Sequence, residues 1–444
     1  MFRYSCRIAF GMLFLFGFSL HAQGFGENMG GNQVTVPIGT TTIGGKTYIS
    51  MRLQPELAFG KFGVGLDVPL TFSTDGKFRK DEYQGGIGAL RVIRYIRYGV
   101  KHEDPVYVRI GDITGTSLGY GLIMHNFTNA VSFDKRKIGA NIDLNYDLRF
   151  GLEAVYSDFN RFAVFGMRPY VRPLKTTDMP ILKTTEFGVT YITDRDNDAL
   201  YNITEVGADV GVSVVETSFL KITPYMEYAA ILKNDKLAQY AKDTLNSSYG
   251  AGKGFAMGVN FKFNFVADVF TLNAKIERRI YSDNFLPQYF DATYEIGKIN
   301  GSPKALALVY SQGRQGTYGE LFANLIGKIQ VIGGMSIPDN LKKTNGAIVH
   351  LGMAAPDLIP KVTISGTYDK SNLDKLGDAF KLDQRSIAHM ILAYQAYQTG
   401  PFVVQAGVDY KWTFVENKNN DGFKAKRYVT PFVGMTLQLP TGSK

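Results

Sequence analysis

The chain has 444 residues, of which 13% are aromatic and 48 are glycine, and its formal net charge is +9. Its one cysteine, Cys6, lies near the N-terminus, which excludes disulfides and cysteine-ligated metal sites from the rest of the chain. After residue 22 no apolar run reaches the roughly 18 residues of a transmembrane helix, and no basic run predicts a nucleic-acid partner.

Residues 1–22 are typical of a secretory signal peptide. Arg3 and Arg7 precede an apolar run that ends at Leu20, and Ala22 supplies a small residue before the cleavage point. The Gly- and Thr-rich residues 23–47 predict a periplasmic lead-in or a short plug segment. At the other end, residues 440–444 predict a short C-terminal tail.

The stretch from Tyr48 to Ser73 alternates between apolar and polar residues. The apolar residues are odd-numbered as far as Phe59 and even-numbered from Phe62 onward, as expected for two strands joined by a two-residue turn. This pairing predicts that Leu57 lies opposite Val64 on the same face. Each strand is long enough for the roughly nine to eleven residues that an oblique bilayer crossing needs.

The rest of the chain repeats this pattern. Residues 90–100 predict a helical start that runs into a strand, and residues 138–156 predict two strands around a three-residue turn at 145–147. From residue 203 onward short and long connections alternate, which is typical of an outer-membrane barrel with short periplasmic turns and long external loops. Within the long loops we expect a helical turn near Leu237 and a short strand at residues 305–310.

These patterns predict an all-β fold, a transmembrane antiparallel β-barrel formed by residues 48–439. The number of alternating segments indicates about 16–20 strands, with 18 favoured. The predicted location is the outer membrane of a Gram-negative cell.

Parts of the sequence resemble known outer-membrane proteins. Residues 93–99 (IRYIRYG) and 104–129 resemble a block in uncharacterised barrel proteins of the Bacteroidota type, and His21-Ala22-Gln23 is similar to the signal endings of that group. Residues 48–439 resemble the outer-membrane porin-like β-barrel superfamily. The resemblance implies outer-membrane lipid and the barrel assembly machinery as partners. The chain lacks the terminal Phe typical of such barrels, which leaves residues 428–439 as the expected assembly signal.

Basic residues concentrate between positions 91 and 137. The residues that we predict to line the pore and set its selectivity are Arg91, Arg94, Arg97, Arg109, Asp112, Lys135, Arg136 and Lys137. Fixed charges in a narrow lumen govern ion selectivity, so an excess of arginine would favour anions. The alternative is a set of structural arginines paired with acids such as Glu56, Asp112 or Asp143. We also expect residues 111–137 to fold inward and narrow the pore.

One acidic segment has the spacing of a calcium-binding loop. Asp194, Asp196, Asp198 and Glu205 nearly match that spacing, but Ala199 stands where the loop needs glycine. The segment therefore predicts either a weak calcium site or an ordinary acidic hairpin loop.

No motif predicts catalysis. No serine near a histidine stands in an arrangement that suggests a lipase or protease, so we expect neither enzymatic activity nor a cofactor. The favoured function is a channel for passive or weakly selective diffusion of small hydrophilic solutes, with anions as candidate solutes. The alternatives are a structural or secretion-associated barrel that docks partner proteins, and a transporter of hydrophobic compounds.

Overall fold

The computed structural model is almost entirely β-structure, with little helix. The residues that the structure describes are 32–43, 46–80, 83, 89–101, 104–129, 137–147, 149–160, 163–195, 198–265, 269–291, 294–295, 304–325, 329–341, 346–383, 386–416 and 423–438. The predicted signal peptide and C-terminal tail lie outside these residues.

Twenty-two strands and two short α-helices form the described part of the chain. The strands are β1 Gln33–Ile43, β2 Lys46–Phe59, β3 Phe62–Leu66, β4 Val68–Ser73, β5 Ile93–Tyr98, β6 Val106–Gly111, β7 Gly139–Tyr146, β8 Phe150–Tyr156, β9 Phe165–Val171, β10 Glu186–Asp194, β11 Ile203–Gly211, β12 Val215–Glu216, β13 Leu220–Ile231, β14 Gly252–Phe265, β15 Phe270–Tyr281, β16 Arg314–Leu325, β17 Ile329–Pro338, β18 Ala347–Ile359, β19 Val362–Leu373, β20 Ser386–Thr399, β21 Phe402–Glu416 and β22 Phe423–Gln438. The helices are α1 Asp235–Asp243 and α2 Ala305–Tyr310.

The strands form a closed barrel. Neighbouring strands pair antiparallel along the chain, and β1 pairs with β22, where Val34 lies opposite Leu437. The ring contains 20 strands, and the two extra segments, β4 and β12, extend the strands that precede them. A closed ring leaves no strand edge unpaired, as the interior of a bilayer requires.

Two sequence predictions about the barrel need correction. The ring has 20 strands rather than the favoured 18. Residues 33–43, which we assigned to a lead-in or plug segment, form β1 and close the barrel. Val36 and Ile38 face outward like their partners Met435 and Val433. The run of threonines at positions 40–42 has no apolar alternation, so the sequence did not reveal this strand.

The hairpin at residues 48–73 has the predicted register. Leu57 lies opposite Val64, and Phe59 lies opposite Phe62. The rings of Phe59 and Phe62 are 61% and 55% exposed, as expected for residues that face lipid. The sequence did not reveal the break between β3 and β4 at Asp67, whose carboxylate pairs with Arg52.

Four smaller predictions can also be checked. A 3₁₀ helix at residues 89–92 leads into β5, as predicted. β7 ends at Tyr146 and β8 begins at Phe150, so the predicted three-residue connection is present but lies two positions after the predicted residues 145–147. The predicted helical turn near Leu237 is part of α1, which is capped by the Asn234 side chain. The predicted strand at residues 305–310 is wrong, because this segment forms α2.

The outer face of the barrel is apolar. Its exposed residues include Ile49, Ile96, Ile110, Met257, Ile276, Leu321, Met390, Leu392, Val408 and Val433. At the end with the shorter turns, rings stack outside β13–β15, as expected for an aromatic girdle: Phe219, Phe263, Phe265 and Phe270. Among the described residues, no helix is long and apolar enough to cross a membrane.

Candidate functional site

The connection between β6 and β7 turns into the barrel at Gly111. This residue has φ +128°, and a Cβ there would lie 2.3 Å from the Arg94 carbonyl oxygen, so glycine is required. We call residues 112–129 the first inner loop. Its buried apolar side chains are Ile113, Leu118, Leu122, Ile123, Met124 and Phe127. The predicted inward fold is therefore present in the described part of this connection; Lys135 and Arg136 lie outside it.

The first inner loop crosses the lumen. The Gly119 N–H donates to Glu153 Oε2 of β8 at 3.0 Å, and the Leu122 N–H donates to Glu227 Oε2 of β13 at 3.0 Å. His125 Nε2 lies 2.7 Å from Glu320 Oε2 of β16. In the ring, β16 lies almost opposite β6, with β7–β15 between them on one side and β17–β22 and β1–β5 on the other. Such contacts require a loop that spans the barrel.

A second connection completes the filling of the lumen. We call residues 282–291 the second inner loop. The His125 N–H donates to the Phe290 carbonyl at 3.1 Å, and the Phe290 N–H donates to the Ile123 carbonyl at 3.1 Å. Both loops contribute to one buried core. In it Phe285 and Tyr289 of the second inner loop lie with Tyr294 and Leu308 and with wall residues such as Val155, Ile192, Ile231 and Ala256. We call the two inner loops together the plug.

Buried charges on the wall around the plug are paired. Arg168 donates to Asp209 from Nε at 2.8 Å and from Nη2 at 2.6 Å, and its Nη2 lies 2.8 Å from Glu186. Glu277 pairs with Arg279 at 2.6 Å and with Lys275 at 3.1 Å. Arg168, Lys275 and Arg279 each face at least one carboxylate, as buried charges require.

Two of the predicted pore-lining arginines, Arg94 and Arg109, are also paired with carboxylates. Arg94 pairs with Glu56, and the Arg109 Nε donates to the Asp112 carbonyl at 2.7 Å while Nη2 pairs with its carboxylate. A bulge in β5 turns Arg94 inward together with Tyr95, whose ring lies 4.0 Å from the Arg109 guanidinium. This agrees with the structural alternative that the sequence left open for these two residues.

The other predicted pore-lining residues are not grouped in one ring. Lys137 is buried and pairs with Glu295. The Arg97 guanidinium donates to the Gly99 carbonyl at 3.0 Å, and Arg91 lies in the short helix before β5. The described members of the set therefore lie at separate places, and their role in selectivity stays a prediction.

The predicted calcium ligands have other contacts. Asp194 accepts a hydrogen bond from the Tyr294 hydroxyl, Asp198 accepts one from the Leu200 N–H at 2.9 Å, and Glu205 is fully buried. Burial raises the pKa of Tyr294, with a further contribution from the Asp194 carboxylate. In the described part of the chain no group of three or more His, Cys, Asp or Glu side chains is suited to a metal ion. The calcium site thus stays a prediction, since Asp196 lies outside that part.

The opposite half of the lumen is accessible. Cross-strand pairing places a set of mostly uncharged polar residues on the inner face of β19–β22, β1 and β2, and each is partly exposed: Thr35, Ser50, Gln54, Thr363, Thr367, Gln395, Gln405, Thr430 and Thr436. On β7–β15 the inner residues that face the plug are buried: Asn141, Glu153, Arg168, Thr190, Asp209, Glu227, Ala256 and Glu277. Inner residues of β14 and β15 nearer the short turn, such as Asn260, Lys262 and Asn273, are partly or fully exposed. The plug therefore packs against one side of the barrel. Most polar inner residues on the other side are partly exposed, although Ser365 and His389 of β19 and β20 are buried.

Two histidine–carboxylate pairs stand on or beside this accessible wall. His350 Nδ1 lies 2.6 Å from Asp369 Oδ1, and His389 Nε2 lies 2.8 Å from Asp409 Oδ1. Sequence analysis missed these pairs and the accessible wall, although period-two Thr and Gln residues in β19–β22 signal a polar inner face. The His125–Glu320 contact had no sequence signal, because the two residues are 195 positions apart.

These features define a closed β-barrel with an apolar outer belt and a plug that is packed inside its lumen. No model of a known protein family matches the chain, and no curated protein matches it.

Several solved outer-membrane barrels are similar in structure. Wzi, a carbohydrate-binding β-barrel involved in group 1 capsule assembly in Escherichia coli, has 12% identity and a TM-score of 0.36, with 93% of this chain and 86% of that chain covered. OprD from Pseudomonas aeruginosa has 9% identity and a TM-score of 0.35, with 96% and 98% covered. OccK2 from the same organism, solved with glucuronate, has 10% identity and a TM-score of 0.34, with 92% and 98% covered. Values this low say nothing about what this chain transports or binds.

Proposed function

We propose that the protein is an outer-membrane channel through which small hydrophilic solutes diffuse along the accessible half of the lumen. The observation that carries this proposal is the contrast between the buried inner residues that face the plug on β7–β15 and the partly exposed hydroxyl and amide residues on the inner face of β19–β22, β1 and β2. A barrel closed by core packing on every side would bury both sets. Hydroxyl and amide side chains on the open side offer hydrogen bonds to water and to polar solutes.

The apolar outer face supports a location in the outer membrane, with membrane lipid as its surroundings. Exposed residues such as Ile276 and Leu321 would otherwise form a large apolar patch in water, which soluble monomers rarely expose. Insertion by the barrel assembly machinery follows from this location and is part of the proposal.

We expect the channel to discriminate weakly between anions and cations. A guanidinium beside a carboxylate contributes little net field, and Arg94 and Arg109 each have such a partner. The anion preference expected from the basic residues at positions 91–137 is therefore small in this proposal, and neutral hydrophilic solutes should pass as well.

Single-channel recording in planar lipid bilayers tests the proposal, together with swelling of liposomes in solutions of neutral sugars. We expect discrete conductance steps and a swelling rate that falls as the sugar becomes larger. A folded, inserted barrel that gives neither conductance nor swelling would overturn the channel and favour the barrel that docks partner proteins.

A further inference from the structure

A serine, a histidine and a glutamate form a continuous hydrogen-bonded chain where the plug meets β16. Ser117 Oγ lies 3.0 Å from His125 Nδ1, and His125 Nε2 lies 2.7 Å from Glu320 Oε2. The Tyr318 hydroxyl donates to the same glutamate oxygen at 2.6 Å. A nucleophile hydrogen-bonded to a base, with the base held by a carboxylate, is the arrangement that activates serine in acyl transfer.

The fold of the first inner loop brings the serine to the histidine. Thr116 and Phe127 exchange backbone hydrogen bonds of 3.1 and 2.8 Å, so the residues that follow Thr116 and precede Phe127 face each other. Ser117 and His125 thus meet although they are eight positions apart. Gly121 has φ +90°, and a Cβ there would lie 2.9 Å from His125 Nδ1, so a side chain at this position would crowd the imidazole.

The hydrogen bonds assign one consistent set of donors. The Asn126 N–H donates to Ser117 Oγ at 3.1 Å, which leaves the hydroxyl proton for His125 Nδ1. His125 Nε2 then carries the ring proton and donates it to Glu320. Asn126 itself has φ +53°, an uncommon conformation for a residue other than glycine and one that occurs at functional sites.

We propose that Ser117, His125 and Glu320 form an esterase site that faces the accessible half of the lumen. Ser117 Oγ attacks the ester carbonyl while His125 Nδ1 takes its proton. The alcohol leaves with that proton as its C–O bond breaks, and an acyl-serine remains. Water then attacks the acyl-serine and returns a proton to Oγ through His125, which releases the acid. Glu320 is a positioning residue that holds the imidazole and stabilises its charged form.

The surroundings select a short acyl group on a hydrophilic alcohol. Ser117, His125 and Asn126 are partly exposed, whereas their neighbours Leu118 and Phe127 are buried in the plug core. Because Leu118 and Phe127 are covered by the core, they offer no exposed apolar surface to a long acyl chain. The neutral hydroxyl and amide side chains of the accessible wall suit an alcohol with several hydroxyl groups. The substrate class is therefore an acetyl ester of a hydroxylated, sugar-like solute.

The test uses the purified, folded barrel in detergent, where hydrolysis does not depend on conduction across a membrane. We expect hydrolysis of p-nitrophenyl acetate but not of the laurate ester, and covalent labelling of Ser117 by a fluorophosphonate probe, located by peptide mass spectrometry. Ser117→Ala removes the nucleophile, so the hydrolysis rate should fall by about a hundredfold or more. Ser248→Ala, at an exposed serine of the loop that follows α1, is the control and should keep the parent rate.

Glu320→Gln separates a catalytic arrangement from a purely structural contact. The amide can still accept a hydrogen bond from His125 but cannot stabilise an imidazolium, so the rate should fall and the acid limb of its pH profile should shift downward. Unchanged hydrolysis in Ser117→Ala, or a fluorophosphonate label at another serine, would overturn the proposal. An unlabelled parent protein would overturn it too, whether or not the barrel conducts ions.

Discussion

Removal of the Phe127 ring should loosen the plug. Phe127 lies in the buried core with 0% exposure, and its ring centroid is 6.5 Å from that of Tyr294. Replacement of a fully buried Phe by Ala costs about 3–5 kcal/mol, because it loses apolar burial and leaves a cavity. Since each 1.4 kcal/mol is about a tenfold change in an equilibrium, Phe127→Ala should raise the fraction of undocked plug by about a hundredfold or more.

Planar-bilayer recording checks this prediction. An undocked plug opens the half of the lumen that it normally fills, so Phe127→Ala should add brief openings of higher conductance to the parent signal. Phe150→Ala is a matched control, because Phe150 is an exposed residue of the outer face at a short turn. The same conductance and noise in the parent and both variants would refute the assignment of the first inner loop as the constriction.

Three further predictions concern the barrel and its charges. Thr35→Cys/Thr436→Cys should form a disulfide detected by a gel shift on reduction, because these hydroxyls lie 3.4 Å apart across the closure of β1 on β22. Ile276→Arg should lower the free energy of unfolding in lipid vesicles by roughly 2–4 kcal/mol, because it places a charge on the lipid face near mid-strand. Arg109→Ala should shift the reversal potential under a KCl gradient toward cation preference, since Asp112 then lacks its guanidinium partner.

Each of these predictions has a control. The control for the disulfide is the single Thr35→Cys variant in a Cys6→Ser background, which should show no gel shift on reduction. A double-cysteine variant that forms no disulfide would contradict the pairing of β1 with β22. Thr363→Arg, on the accessible wall, should cost far less stability than Ile276→Arg, and an equal cost would mean that the faces are misassigned. The double variant Arg109→Ala/Asp112→Ala should restore the parent reversal potential, because it removes both charges of the pair and leaves the net charge of the lumen unchanged.

The sequence predicted the barrel because strand alternation is a local property. The register at Phe59 and Phe62 follows from parity alone, and the helical start before β5 follows from the spacing of Leu90 and Ile93. The wrong secondary-structure assignments fell in segments without this alternation. The threonines of β1 and the apolar residues of α2 carry no period-two signal, so neither was assigned correctly.

The candidate sites depend on contacts that no local pattern encodes. The glycines and apolar residues of the first inner loop indicated that it folds inward, but nothing in the sequence placed Ser117 beside His125 or His125 beside Glu320. The same holds for charge. The sequence shows how many basic residues lie between positions 91 and 137. The selectivity of the channel depends instead on which of them have a carboxylate partner, as Arg94 has in Glu56.

The most direct test of the central claim is thiol modification of single-cysteine variants during bilayer recording. A charged methanethiosulfonate reagent should reduce the current through Gln405→Cys, because Gln405 is on the inner face of the accessible wall. It should leave Ala406→Cys, on the lipid face, and Thr190→Cys, on the buried inner face of β10, unchanged. Block through Thr190→Cys, or a current through Gln405→Cys that the reagent does not alter, would contradict a path along the β19–β22 side of the lumen.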